Sequence, residues 1–328
     1  MLTINKYIEY IKKVQNGLNH VSHTQGVCKV YLYFDYICAV ISHRCLIRQY
    51  VIGEFWRKSH AERKKCLTYN RIVKLFDQLN KKEYIHSLNE KQDFNTYFKE
   101  FIHRDWLDIN QFSEESVISF IKSHTSVIIK PINGVEGGGI RKFVLSDAPN
   151  TDLSKLYKEL KTENVIIEEV IRQNERMVFG NTSVNTIRTH TILDKKGKAH
   201  VIKAILRAGV GDSVVDNYAQ GGSIYEVDLQ TGIVCSRGKS KAGENHIIHP
   251  GTNIVMLGYQ IPNWDKVIKV SCDAAEHIPQ IGFIGWDVAI TQNGVELIEG
   301  NHNPDYELLE YLGSNCYYEK ITKIISSK

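Results

Sequence analysis

Proline and glycine are rare in the first third of this 328-residue sequence: up to Arg104 there is no proline and only three glycines. With neither breaker in the way, apolar residues recur at three-to-four spacing, which predicts a helical region. Cysteine pairing is absent too. The seven cysteines (Cys28, Cys38, Cys45, Cys66, Cys235, Cys272 and Cys316) are odd in number, widely spread and contain no CxxC pair. That pattern argues against a disulfide framework or a structural zinc site and suits a reducing, cytoplasmic setting. Met1 to Gln15 alternates apolar and charged residues at helical spacing, unlike a signal peptide. Val30 to Ile47 is the one stretch to weigh as a membrane span, but Asp35, His43 and Arg44 interrupt it. It reads as a buried or half-buried helix, so no transmembrane segment is expected. There is no internal repeat, no low-complexity linker, and no Ser-His-Asp or Cys-His nucleophile signature.

What is present belongs to an ordinary globular protein, with 42% hydrophobic and 24% charged residues, enough to bury one large core or two moderate ones. Net charge is +4 but uneven: residues 1 to 100 hold 17 Lys and Arg against 9 Asp and Glu, leaving 24 against 28 in the remainder. A basic leader can meet nucleic acid, an anionic membrane surface or an acidic substrate, and solvated helix faces give the same composition. From Thr125 the character changes. Short β-branched runs (Val127 to Ile129, Val165 to Ile167, Val184 to Ile192, His200 to Leu206) alternate with glycine-bearing turns, predicting an α+β region with mostly antiparallel sheet. Asp194 to Gly197 and Asn293-Gly294 read as hairpin turns, and Asp265 to Gln280 as the one long helix of this half.

Three motifs carry chemistry. Val127-Ile128-Ile129-Lys130-Pro131 reads as a buried strand ending in a lysine, followed by a loop containing Gly137, Gly138 and Gly139. Consecutive glycines let backbone N–H groups approach an anion closely, and phosphate is the natural occupant. A flexible hairpin connection would look the same. The loop is neither a Walker A sequence nor a Rossmann fingerprint, and Arg141 to Leu145 reads as a further strand, so the loop joins two strands and would act as a lid. The second motif, Val165 to Ile171, is an apolar strand ending in Glu168 and Glu169 with Val170 and Ile171 behind them. It suits an adenine pocket, and equally a strand ending at solvent. The third runs from Gly285-Trp286-Asp287 through Asn293-Gly294 to Glu299-Gly300-Asn301. Across such a hairpin Asp287, Glu299 and Asn301 can converge as a set of hard oxygen ligands suited to magnesium held with phosphates, and polar residues at strand ends would give the same pattern. Arg188 in Asn185 to His190, and Arg207 after Ala204 to Leu206, suit either surface ion pairs or clamping of phosphoryl oxygens.

In this order, the lysine-glycine loop, the Glu-Glu hinge, the Asn185 to Thr191 strand, the Leu206 to Gly209 and Asn217 to Gly222 segments and the terminal Gly285 to Pro304 hairpin resemble the ATP-grasp superfamily. Within it they resemble the sugar-transfer-associated ATP-grasp proteins found near polysaccharide and surface-glycan genes. The resemblance covers about residues 85 to 310, with a fainter likeness through Asp35-Tyr36, Tyr50 to Trp56 and Glu62-Arg63. It implies an ATP-grasp fold of two α+β subdomains gripping ATP behind a helical N-terminal region: residues 1–120 helical, 121–170 the lid subdomain, 171–328 the metal-binding subdomain. By the same resemblance Lys130 and Lys91 would hold phosphates, Gly137 to Gly139 would close over them, and Glu168, Glu169, Val170, Ile171 and Gln173 would frame the nucleoside. Asp287, Glu299 and Asn301 would bind Mg2+, or Mn2+ in its place. Arg188, Arg207 and Asn217 would be catalytic. Two departures stand out: Gln173-Asn174 replaces the Gln-His pair expected after the hinge, and the glycine-rich βαβ start of many ATP-grasp ligases is missing.

The activity implied is an ADP-forming carboxylate-amine ligase acting through an acyl phosphate, with a uronic acid or amino acid as acceptor in capsule or surface-polysaccharide assembly. Small-molecule carboxylates and amines, free or sugar-linked, are the expected partners, and nucleic acid is not. The basic leader would reach a peripheral membrane surface or a glycosyltransferase. The rivals are an ATP-grasp kinase acting on a hydroxyl and a silent nucleotide-binding partner of a glycosyltransferase.

Overall fold

The computed structural model describes residues 2–132, 138–180, 183–211, 222–240, 245–311 and 317–327. Internal contacts group the chain into two units, Met1–Leu79 with Asp305–Lys328, and Asn80–Pro304. The first boundary therefore falls at Leu79, whereas the sequence reading drew the helical region to residue 120.

The first unit is helical among its described residues. Its two longest helices are α1 (Leu2–Gln25) and α2 (Lys29–His43). Leu18 and Val21 of α1 pack with Leu32, Tyr36 and Ala39 of α2 and with Tyr50 and Phe55. Asp35, the charge that spoke against a membrane span, is an anchor: it pairs with Arg63 at 2.8 Å and accepts the Tyr50 hydroxyl at 2.7 Å. Arg44 ends α2 in the left-handed region with φ 49°. Among the described residues no helix is long and apolar enough to cross a membrane.

The second unit contains two antiparallel sheets. The smaller is built from β1 (Trp106–Asp108), β2 (Ser126–Pro131), β3 (Arg141–Val144) and β4 (Val165–Glu169), in the order β1-β4-β2-β3. Alternation sends Val127, Ile129, Val165 and Ile167 to one face, where they pack with Val117 and Ile121 of the helix Glu114–Ser123 and Leu160 of the helix Leu153–Glu163. Lys130 and Glu168 point to the other face, being in register with Ile166 and Ile128 respectively.

The larger sheet comprises β5 (Thr186–Leu193), β6 (Ala199–Ala208), β7 (Ser223–Val227), β8 (Gly238–Ser240), β9 (Asn245–His246), β10 (Phe283–Ile290) and β11 (Val295–Asn301), in the order β11-β10-β5-β6-β7-β8-β9. The hairpins expected at Asp194 to Gly197 and at Asn293-Gly294 join β5 to β6 and β10 to β11. The helix Trp264–His277 covers one face: Val267 and Ala274 pack with Ile187, Ala204, Leu206 and Trp286, and Thr189 bonds to Ser271 at 2.8 Å. Each sheet thus has an apolar face under helices and an opposite face that collects charge.

Candidate active site

Antiparallel register sets out the charged face of the larger sheet in rows, because directly opposed residues share a face. Glu299 lies opposite Asp287, and Asp287 opposite Arg188. Asn301 lies opposite Gly285, Gly285 opposite His190, and His190 opposite Lys203. Glu296 lies opposite Ala289, Ala289 opposite Thr186, and Thr186 opposite Arg207. Strict alternation along β11 would put Glu296 and Glu299 on opposite faces. The register shift beside Asp287 and Val288 leaves Ile298 without an opposed partner, and this bulge turns both carboxylates to the same side. Gly285 is required there: a Cβ would come within 2.6 Å of Pro304 Cβ and 3.5 Å of Arg188 Cδ.

The carboxylate of Asp287 receives Arg188 through Nε and through Nη2 at 2.8 Å, and Arg207 through Nη1 at 2.8 Å. Burial alone would raise its pKa, but the two guanidinium groups outweigh burial and hold it below the usual carboxylate range. Glu299 behaves oppositely. Half of its side chain faces solvent (51%), yet the protein crowded round the carboxyl and then the charge of Asp287 raise its pKa. The two carboxyl groups stand directly opposite each other across β10 and β11, so their like charges oppose joint ionisation. Asn301 Nδ2 donates to Glu299 Oε1 at 3.1 Å. Two opposed carboxylates are the arrangement that a divalent cation relieves, and the set offers only hard oxygen donors. The residues therefore fit magnesium, with Glu299 and Asn301 as the accessible ligands; a cation on Asp287 would displace at least one arginine contact.

Lys130 lies 2.5 Å from Glu168 on the smaller sheet. Glu168 also accepts Asn95 Nδ2 at 2.9 Å and Arg104 Nε at 2.9 Å. Arg104, buried, continues to Glu296 at 3.0 Å and to the Leu297 carbonyl at 2.8 Å. One guanidinium thus ties the charged face of the smaller sheet to that of the larger. Burial would raise the pKa of Glu168, but Arg104 and then Lys130 hold it low. Its side chain is a fixed counter-charge for Lys130 rather than an open wall of a pocket. Lys91 opens the helix Lys91–Tyr97 and reaches the Ile132 carbonyl at 3.4 Å. Desolvation and the neighbouring charge of Lys130 lower its pKa, while Glu299 and Glu168 raise it. Lys91 is therefore the residue that feels both clusters.

Other expected residues sit apart from this network. Glu169 is half-buried at the end of β4, where its carboxylate and the ligand-type atoms of Asp105 and His124 lie within 4.8 Å of one another. Val170 and Ile171 are half-buried in the following segment, and Gln173 donates to the Asn185 carbonyl at 2.7 Å. Gly138 and Gly139 form the turn into β3; Gly139 has φ 77°, and a Cβ there would lie 2.8 Å from Pro131 Cγ. Gly137 and Asn217 lie outside the described residues. Sequence reasoning missed Arg104, Asn95 and Glu296. The one available signal for Arg104 was a lone arginine between Phe101-Ile102 and Trp106-Leu107, where a buried charge must find a partner.

No curated protein matched the chain. Solved structures similar to it include an ATP-grasp ligase PsnB complexed with minimal precursor, at 14% identity and TM-score 0.46, covering 75% of this chain and 63% of that one. The biotin carboxylase complex from Campylobacter jejuni has 13% identity and TM-score 0.48, covering 73% and 46%. The ADP complex of an N5-carboxyaminoimidazole ribonucleotide synthetase has 11% identity and TM-score 0.44, covering 73% and 52%. The chain thus spans less than two-thirds of the length of each of these structures. The family profile described as Sugar-transfer associated ATP-grasp matches residues 70–324, which contain every described element of the charged faces: the chain belongs to the sugar-transfer associated ATP-grasp family.

Proposed function

We propose that this chain is an ATP- and magnesium-dependent, ADP-forming ligase that joins a carboxylate to an amine. The observation that carries the reading is the position of Lys91, which feels Lys130 and Glu168 on one side and Glu299 on the other, with Glu299 directly opposite Asp287 across the hairpin: cations for phosphates beside a like-charged carboxylate pair. Lys91 and Lys130 would hold the triphosphate, with Glu168 fixing the position of Lys130 and Arg104 fixing Glu168. The turn at Gly138 and Gly139, with Gly137, would close over the phosphates, and Glu169 to Gln173 would frame the nucleoside. Bound magnesium, held by Glu299, Asn301 and Asp287, supplies positive charge that stabilises the transferring phosphoryl group.

An acceptor carboxylate oxygen bonds to the γ-phosphorus as the bond to the ADP oxygen breaks. The amine nitrogen then bonds to the acyl carbon, phosphate leaves, and the amine loses its proton to solvent. No side chain needs to become a nucleophile. Arg188 and Arg207 already hold a carboxylate, Asp287, in paired hydrogen bonds, and the same donors suit equatorial phosphoryl oxygens or the acyl phosphate. Asn217 is assigned to the same step. The acceptor is proposed to be a uronic acid or amino acid used in polysaccharide assembly in the cytoplasm, an assignment by family analogy. The test is ADP release from the full chain over a panel of carboxylates, each with and without a panel of amines. Release that requires both partners supports the ligase; release with a hydroxyl compound and no amine would make the chain a kinase.

A further inference from the structure

The helix α2 is apolar on both sides. Leu32, Tyr36, Ala39 and His43 face the core of the first unit. Val30, Phe34, Ile37 and Ile41, at helical spacing on the opposite side, are exposed, Phe34 by 66% and Ile41 by 76%. The sequence reading treated this stretch as a buried or half-buried helix; only one of its sides is covered. The apolar stripe of α1 behaves alike: Leu18 and Val21 are buried, whereas Ile8 and Ile11 in its first half are exposed. A continuous helical stripe of large aliphatic and aromatic side chains is the kind of patch that marks an interaction surface.

We propose that this face seats on an anionic lipid bilayer, with α2 lying along the interface. Charge selects this occupant. Lys29 at the start of α2, Arg44 just past its end and Lys12 and Lys13 of α1 are exposed. Residues 1–48 carry six Lys and Arg against two Asp and Glu, and one of those acids, Asp35, is held by Arg63. Apolar side chains flanked by exposed basic residues combine the two forces that hold a helix at an anionic membrane surface. Length selects the mode. Fifteen residues rise about 22 Å as a helix, short of the roughly 30 Å hydrocarbon core, so α2 can lie in the interface but not cross it.

The test is flotation of the full chain with phosphatidylcholine vesicles with and without phosphatidylglycerol. The chain should float with the anionic vesicles, and the apparent affinity should fall on the order of tenfold for neutral vesicles or in high salt. Phe34→Glu with Ile41→Glu should cut flotation on the order of tenfold or more while leaving the urea midpoint and ADP release unchanged, since both side chains are exposed and belong to the unit without Lys130 and Asp287. Lys12→Glu with Lys13→Glu, which leaves the stripe intact, should remove the preference for anionic vesicles. The proposal is overturned if wild type floats with neither vesicle, or if the Phe34 and Ile41 variant floats as well as wild type. It is also overturned if wild type is a dimer that this variant converts to monomer without any change in flotation, because the face then belongs to a second copy of the chain.

Discussion

The Arg104 cluster and the Asp287 cluster are made of the same parts, buried arginines and carboxylates on facing sheets of one unit, yet they end in different electrostatic states. Around Arg104 each partner is answered: Glu168 meets Arg104, Lys130 and Asn95, and Glu296 meets Arg104 and the backbone amides of His103 and Arg104. Around Asp287 two arginines converge on one carboxylate, while Glu299 is left beside it with its pKa raised by the surrounding protein and then by the charge of Asp287. A closed network fixes geometry; one left with strained charge binds and reacts. If that contrast is sound, substitutions in the first cluster should appear as stability and those in the second as turnover.

The largest effect is expected from Arg104→Ala. It leaves the buried Glu168 and Glu296 without their shared cation, and breaking one side of a buried pair costs roughly 3–5 kcal/mol. The urea midpoint should fall accordingly, with the loss of stability preceding any specific loss of chemistry. A midpoint within error of wild type would show that the cluster is not what ties the two sheets.

Glu299→Gln should act in the reverse sense, reducing ADP release on the order of a hundredfold through loss of a cation ligand. The folded state should not suffer. A carboxyl with a raised folded pKa favours folding below that pKa and loses the contribution as pH rises through it, so an amide that never ionises removes a penalty at neutral pH. A variant that kept its rate and magnesium response would remove Glu299 from the site; one that lost its midpoint instead would erase the distinction between the clusters.

The difference between the clusters also explains what could be read from sequence. Asp287, Glu299 and Asn301 were legible because the turn signal at Asn293-Gly294 stands between two strand-like runs and alternation puts Glu299 and Asn301 on one face; it is the bulge at Ile298 that sets Glu299 opposite Asp287. Lys130 was legible as the end of an apolar strand. Arg104 and Asn95 were not, since their partners lie 64 or more positions away and neither stands in a repeating pattern. Glu296 was hidden by the bulge at Ile298, a local irregularity that reverses the facing that alternation predicts. The hairpins and the helix Trp264–His277 followed from turn chemistry and periodicity, whereas the three-residue strands β1 and β8 are too short to show either.

His190 supplies the smallest effect and the finest test of the contrast. It lies on the charged face opposite Lys203 and Gly285, fully buried, and neither ring nitrogen has a hydrogen-bond partner. Burial, then the charges of Arg188 and Lys203, push its pKa down to about 3, so the ring is neutral at working pH. The unfolded chain takes up this proton near pH 6.5 and the folded chain near 3. The stability His190 contributes is thus complete above about 6.5 and is lost as pH falls toward 3, by about 2 kcal/mol at pH 5. Glu168, a carboxylate with a depressed pKa, loses its contribution only as pH falls below about 4. Between pH 6.5 and 5 His190 therefore adds to the decline while Glu168 does not, alongside His43, His249 and His302, whose pKa values burial also lowers. Urea midpoints of wild type and His190→Leu, compared across that range, should show wild type losing stability relative to the variant as pH falls, because leucine has no proton to take up. Parallel curves would mean that His190 titrates alike in both states, and that the face around Asp287 is as fully compensated as the one around Arg104.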